Sequence, residues 1–348
     1  MIKRALFIGL VALSVTTISA ALVLAADAAS KSGNETAKNL NLFFGSTNVT
    51  SGYYTWSVAV ARAINKYSKG ISITVVESGA TYDNVKKIRE GIFHGGLSEG
   101  MQGAYEMYRG LETFKGKAWE PIRFFFMRNV NANRFYVLSD SKIKTWSDLA
   151  GKKVYAGMPG SAAAKRVQRS NDLLGTGLKL VPGSLSDAIK DLQTGRLEAA
   201  YKSGPVYTFD AAMMAAHQST PLRAIGFNAE EAAKLAAKYP QFLVTKTPAN
   251  SIKLVPGHDS FYEIYALGGS HTSAKLPQGV GYRIVKSVYE HWNEIKQAYP
   301  SSTDDMIADY VKLVPPGLEV PLHAGTVQYA EEIGIKIPKH LIPPEYKP

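Results

Sequence analysis

Leu40-Asn41-Leu42-Phe43-Phe44-Gly45-Ser46-Thr47-Asn48-Val49-Thr50-Ser51-Gly52-Tyr53-Tyr54 reads as a short apolar strand, a loop rich in hydroxyls and glycine, and the opening of a helix. Trp56, Val60, Ala63, Ile64 and Tyr67 then recur at the three- and four-residue spacing of one helical face. Ile71, Ile73 and Val75 alternate as a second strand that ends at Glu77-Ser78-Gly79, and Val85 with Ile88 begins another helical face. Strand, crossover helix and strand in succession form a βαβ unit, whose two strands run parallel.

The rhythm persists along the chain. Strand candidates lie at 122–127, 135–138, 154–156, 178–181, 199–201, 222–226 and 261–267, with helical segments between most of them. Ser184 with Asp187, and Asn228 with Glu231, mark two helix starts where a side chain can cap the free N–H groups of the first turn. Helices near 280–292, 303–311 and 327–333 close the pattern. That alternation points to an α/β fold; the composition, 45% hydrophobic and 20% charged, is that of a globular chain rather than of a disordered or fibrous one, and the length of 348 residues suggests two domains.

The formal net charge is +11, yet no basic run exceeds two residues (Lys86-Lys87, Lys152-Lys153), so the focused stripe of a nucleic-acid binder is missing. With no cysteine, disulfides, thiolate zinc sites, thiol nucleophiles and iron–sulfur clusters drop out together. The seven His residues are isolated, without HExxH or carboxylates at ligand spacing, and neither a Walker loop nor a GxGxxG follows a strand. We therefore expect no metal and no cofactor.

Met1-Ile2-Lys3-Arg4 is a short positive region followed by an uncharged, Leu-, Val- and Ala-rich stretch over residues 5–24. This is the layout of a secretory signal, with Val23-Leu24-Ala25 supplying small residues at the positions a signal peptidase inspects. Cleavage before Ala26 is expected, with an uncleaved anchor helix as the alternative; removal of Lys3 and Arg4 leaves a net charge of +9. Residues 26–38, without periodicity, read as a flexible tether. The product is expected in the periplasm.

One catalytic pattern survives a literal search. Ser139-Asp140-Ser141-Lys142 fits S-x-x-K and Lys202-Ser203-Gly204 imitates K-T-G, as in penicillin-recognising serine hydrolases, although no S-D-N lies between them. The loops after strands are better placed for binding, because in an open α/β sheet ligands sit beyond the carboxyl ends of the strands, where helix N-termini present free N–H groups. Residues 45–54, 78–84 and 157–163 fit that position, and plain helix capping is the alternative for each.

These loops carry a resemblance. Gly45-Ser46-Thr47 with Gly52-Tyr53-Tyr54 resembles the Gly-Ser-Thr-Gly-Gly-x-Tyr-Tyr opening of the TAXI family of solute-binding proteins that serve TRAP transporters. Residues 141–154 resemble its Ser-x-Ile-Lys-x-x-x-Asp-Leu-x-Gly-Lys-x-Val segment, and Pro159-Gly160-Ser161 follows at the family's spacing. Residues 321–334 are similar to its Pro-Leu-His-Pro-Gly-Ala-x-x-Tyr-Tyr-x-Glu-x-Gly ending. The resemblance spans residues 41–337. It implies a two-lobed type II periplasmic binding protein fold, each lobe a mostly parallel sheet flanked by helices, with hinge crossovers near 135–138 and 261–267. It also implies lobe 1 at 39–136 plus 265–348 and lobe 2 at 137–264.

The implied function is reception of a small organic anion, a carboxylate, between the lobes, and its delivery to TRAP membrane subunits by a monomer that makes and breaks no bond. A sensor subunit for a membrane kinase and the serine hydrolase are the alternatives. Expected ligand contacts are Ser46, Thr47, Asn48, Tyr53, Tyr54, Ala80 and Asn84 from one lobe and Gly160, Ser161, Ala162, Ser203 and Gly204 from the other. Arg128 and Arg134 could pair with the carboxylate through parallel N–H donors, or be solvated at the surface. Ala162-Ala163 stands where the family commonly has Gly-Thr, which points to a ligand less polar than glutamate. His323 is expected to pack near the hinge.

Overall fold

The computed structural model describes residues 39–348 apart from 254 and 256; the expected signal peptide and tether lie outside the described residues. β1 (Leu40–Gly45), α1 (Gly52–Tyr67) and β2 (Ile71–Val76) form the βαβ unit read from the sequence, and β1 pairs with β2 in parallel from Leu40 opposite Ile71 to Gly45 opposite Val76. Ser51 starts α1, its side chain accepting the N–H of Tyr53. Trp56, Val60, Ala63 and Ile64 are buried beneath the helix, each of the larger ones contributing about 1.5–3 kcal/mol through its removal from water.

α2 (Thr81–Arg89), β3 (Gly95–Glu99) and α3 (Tyr105–Arg109) follow, and then β4 (Ile122–Leu138) runs for 17 residues. β5 (Lys153–Tyr155), α4 (Ala162–Leu174), β6 (Lys179–Leu180), α5 (Leu185–Gln193), β7 (Ala199–Pro205), α6 (Ala211–Ser219), β8 (Leu222–Ile225), α7 (Ala229–Lys238) and β9 (Leu243–Thr247) continue the alternation. β10 (Phe261–Ser273) returns, and α8 (Gln278–Glu290), α9 (Trp292–Ala298), α10 (Ala308–Leu313) and α11 (Ala324–Glu332) complete the chain.

The strands form one curled, mixed sheet in the order β2-β1-β3-β10-β4-β7-β5-β6. Parallel pairs join β1 to β2 and β3, and β5 to β6 and β7. The two long strands add the antiparallel ones. β4 lies against β10 up to Asn131 and against β7 from Asn131 to Tyr136, while β10 pairs with β9 up to Tyr265 and with β4 and β3 beyond it. Both therefore pass from one half of the sheet to the other.

Each half has its own apolar layers. Trp56, Ile64, Phe126, Val285 and Ile295 pack on one face of the first half, and Val85, Phe124, Tyr310 and Val327 on the other. In the second half Phe135 and Val137 join Trp146 and Leu235, whereas Tyr136, between them, joins Leu192 and Met213. That division follows from the period-2 alternation of a strand.

One expectation is corrected, and one strand was not anticipated. The separate strands at 122–127 and 135–138 are one strand, because Arg128, Asn129, Asn131, Asn133 and Arg134 are buried in the sheet instead of forming a polar connection. β3, which begins Gly95-Gly96, carries no β-branched residue to announce it. A Cβ on Gly96 would stand 2.6 Å from the carbonyl oxygen of Gly45, so the close approach of β1 requires glycine there.

Candidate functional site

A cavity of about 80 Å³ lies where the loops after β1, β2 and β5 meet the middle of β4 and β7. The first half of the sheet supplies Thr47, Asn48, Tyr53, Ala80, Ser98, Glu99 and Arg128; the second supplies Tyr155, Ser161, Ala162, Tyr201, Lys202 and Ser203. The two sides touch. The Tyr82 amide donates to the Gly160 carbonyl at 3.0 Å, and a Cβ on Gly79 would meet the Pro159 carbonyl at 3.2 Å. Gly160 holds φ at +83°, a conformation glycine adopts without strain.

Helix starts frame the opening. Ser51 caps α1, and Ser161 caps α4 by accepting the Ala164 amide at 3.1 Å. Asn48 is fixed from both ends of its amide: Nδ2 donates to Glu77 at 3.0 Å and Oδ1 accepts the Thr50 amide at 3.0 Å. Ala80 stands at φ +68° and ψ −147°, a region that costs a non-glycine residue about 1–3 kcal/mol.

Most charges around the cavity are answered by opposite ones. Arg166 of α4 contacts Glu99 of β3 and donates to Asn133 at 2.6 Å; burial pushes its guanidinium down to about 10, still protonated at neutral pH. Arg169, one turn on, donates to Glu106 at 3.0 Å, and the Tyr82 hydroxyl donates to the same carboxylate at 2.7 Å. Lys202 lies 3.3 Å from Asp210, with its ammonium 4.5 Å from the centre of the Tyr53 ring.

Arg128 is the exception. It is 1% exposed, and among the described residues no carboxylate lies within ion-pair distance of it. Its guanidinium stacks 3.6 Å from the centre of the Tyr53 ring, with Tyr299 and Trp56 at 5.5 and 5.8 Å. Nη2 donates to Asn131 Oδ1 at 3.0 Å, whereas Nε and Nη1 are buried without an acceptor. The Tyr53 hydroxyl donates to the same Asn131 oxygen at 3.1 Å, and burial raises that phenol to about 12, so it remains a neutral donor. Gly268 of β10 makes room for the group: a Cβ there would stand 2.6 Å from Arg128 Nη2.

Of the residues expected from the sequence, Thr47, Asn48, Tyr53, Ala80, Arg128, Ser161, Ala162 and Ser203 come together on the cavity wall. The other six are placed elsewhere. Asn84 donates to the carbonyls of Ser46 and Leu97 at 2.8 and 2.7 Å, tying the residue after β1 and the middle of β3 to α2, and the Ser46 hydroxyl bonds Ser57 at 2.8 Å. Tyr54 lines a separate open groove beside Arg62. Arg134 is engaged with Glu263 at 2.6 and 2.9 Å, both side chains fully buried. Gly160 presents its carbonyl to Tyr82, and Gly204 sits in β7 against Asp210.

Ser98, Glu99, Tyr155, Tyr201 and Lys202 also line the cavity and were not anticipated. Ser98 and Glu99 end a strand the sequence does not announce, whereas Lys202 adjoins the anticipated Ser203. Ser139 and Lys142, exposed after β4, do not line it. His323, buried, bonds the Leu276 carbonyl at 2.9 Å and the Gly325 amide at 3.1 Å.

The profile of the NMT1-like family matches residues 44–334. The chain belongs to the NMT1-like family. Among solved structures it is similar to a TctC solute-binding protein from Polaromonas, at 13% identity and a TM-score of 0.47 over 84% of this chain and 97% of that one. It is also similar to an arginine transport system periplasmic binding protein from Legionella pneumophila, at 13% identity and a TM-score of 0.44 over 76% and 100% of the two chains. A third similar structure is the alkanesulfonate-binding protein SsuA from Xanthomonas axonopodis pv. citri, at 16% identity and a TM-score of 0.44 over 89% and 83%. Among the described residues, no helix of this NMT1-like chain is long and apolar enough to cross a membrane, and no group of three or more His, Cys, Asp or Glu could hold a metal ion.

Proposed function

We propose that this protein is an extracytoplasmic solute receptor of the TAXI type, which binds a small organic anion, a carboxylate, between two lobes and delivers it to the membrane subunits of a TRAP transporter. The signal peptide at 1–25 directs export to the periplasm, residues 26–38 serve as the tether, and the receptor acts there as a monomer without catalysing a reaction. Lobe 1 is 39–136 plus 265–348 and lobe 2 is 137–264, joined by β4 and β10.

The observation that carries this reading is Arg128: a fully buried cation on the cavity wall, with two N–H groups unpartnered and no carboxylate beside it among the described residues. An uncompensated buried charge is costly, and a carboxylate seated in the cavity would remove the cost. Closure follows from the placement of the wall. Because one half of the sheet brings Thr47 and Arg128 and the other brings Ser161 and Ser203, an anion touching both binds the closed form more tightly and draws the equilibrium toward it.

The test is a thermal-shift panel of mono- and dicarboxylates, amino acids and aromatic acids on refolded protein, refolding having removed any ligand carried from the cell. A true ligand at a hundred times its dissociation constant stabilises by about 2.7 kcal/mol. A selective carboxylate hit supports the reading, and silence across every organic anion sinks it. Uptake of that ligand by the membrane subunits in proteoliposomes, dependent on added receptor, tests delivery.

A further inference from the structure

The charges on the cavity wall can be balanced side chain by side chain. Three wall residues carry a formal charge: Glu99, Arg128 and Lys202. Lys202 is answered by Asp210, and Glu99 by Arg166. Arg128 alone is answered by aromatic rings and one amide. The wall as built is therefore one negative charge short.

Size and polarity narrow the ligand further. The cavity of about 80 Å³ is roughly half the volume of an engineered 150 Å³ cavity that holds benzene. Besides Arg128, Ser98 and Tyr201 are the wall residues whose hydroxyls are buried without a partner, and burial keeps the Tyr201 phenol neutral. Ala80, Leu97, Ala162, Ala163 and Leu185 make much of the rest apolar.

Resting on the receptor reading above, we propose that the ligand is a small monocarboxylate, carrying one negative charge and a short apolar body, with at most one hydroxyl or carbonyl for Ser98 and Tyr201. Its carboxylate takes Nε or Nη1 of Arg128, which lie on different edges of the guanidinium plane. A dicarboxylate would bring a second charge into a wall whose remaining cation, Lys202, is already neutralised, beside the carboxylate of Glu99. An amino acid would bring an ammonium to a wall whose acid is held by Arg166.

The experiment is calorimetric titration of the refolded protein with propionate, pyruvate, succinate and glutamate at matched ionic strength and neutral pH. Propionate or pyruvate is expected to bind about a hundredfold or more tightly than succinate and glutamate, the scale set by leaving one buried charge unpaired. Succinate or glutamate binding as tightly as either monoacid overturns the monocarboxylate assignment and leaves the receptor reading standing. Binding of none of the four also overturns it, and the wider anion panel then decides the receptor reading separately. Glu99→Gln removes one negative charge from the wall, so the preference for propionate over succinate should shrink by about tenfold or more. An unchanged ratio in a folded Glu99→Gln protein overturns the charge balance, and the wild-type titration stands whether or not that variant folds.

Discussion

Replacing Arg128 with Met should separate stability from binding, because the same group that costs the free protein energy supplies its affinity. The variant loses the stack on Tyr53 at 3.6 Å, about 2 kcal/mol for a desolvated cation–π pair. It also loses the bond to Asn131 Oδ1 at 3.0 Å, worth about 1.5–3 kcal/mol for a charged donor. That oxygen keeps the Tyr53 hydroxyl as a donor and is not orphaned. Against these losses stands the relief of a buried guanidinium with, among the described residues, no opposite charge and two unpartnered N–H groups, several kcal/mol per ion. The two sides are of similar size, so the ligand-free variant should lie within about 2 kcal/mol of wild type. Affinity for the anion should fall by about a hundredfold or more. Urea titration of ligand-free wild type and variant reads the first quantity, and calorimetry the second. A ligand-free variant destabilised by more than about 2 kcal/mol, or one that binds the anion as before, would refute the reasoning, since Arg128 would then be a structural cation whose charge the protein already satisfies.

Other substitutions and conditions test separate parts of the account. Gly268→Ala puts a Cβ 2.6 Å from Arg128 Nη2 and Asn131 Nδ2, so it should cost about 1–3 kcal/mol by overpacking and weaken ligand binding in the same titration. Gly279→Ala near the start of α8, with nothing within 4 Å of its Cβ, is the neutral control. Ala80→Gly relieves the φ of +68°, and the strain removed exceeds the added chain entropy by about 1 kcal/mol, measurable as a higher urea midpoint. Burial holds His271 down at about 3 and His323 at about 4, below the ordinary 6.5, so the unfolded chain takes up protons that the folded one refuses. Stability should therefore fall as pH drops from 6.5 toward 4, by about 2 kcal/mol per histidine between pH 6.5 and 5. His271→Phe should remove one such share of the loss, and urea midpoints independent of pH over that range would contradict the assignment.

The start of the fold was readable because β1, α1 and β2 announce themselves by strict periodicity, Leu40, Leu42 and Phe44 on a strand and Trp56, Val60, Ala63 and Ile64 on a helix. The middle of β4 was not. Arg128-Asn129-Val130-Asn131-Ala132-Asn133-Arg134 has the composition of a surface connection, and only tertiary contacts make it strand: Arg134 with Glu263, Arg128 with Tyr53, and Asn133 donating to the Ile264 carbonyl at 2.8 Å. Those partners lie far along the chain. Part of the candidate site was legible, since polar loops at strand ends are where ligands gather, and Thr47, Asn48 and Ser161 of those loops line the cavity. Ser98 and Glu99 stayed hidden behind the glycines that open β3. Asn84 was legible as important but not in its role, since a buried Asn with three partners joins loops as readily as it joins a ligand.

The central claim is that Arg128 waits for an anion that the protein does not provide. A crystal structure of the refolded protein with the tightest acid from the panel tests it most directly. The account predicts a ligand carboxylate oxygen within hydrogen-bond distance of Arg128 Nε or Nη1, enclosed between the loop at 47–50 and the start of α4. A bound acid that leaves Arg128 untouched, or a carboxylate of the protein itself seated on that guanidinium, would contradict it.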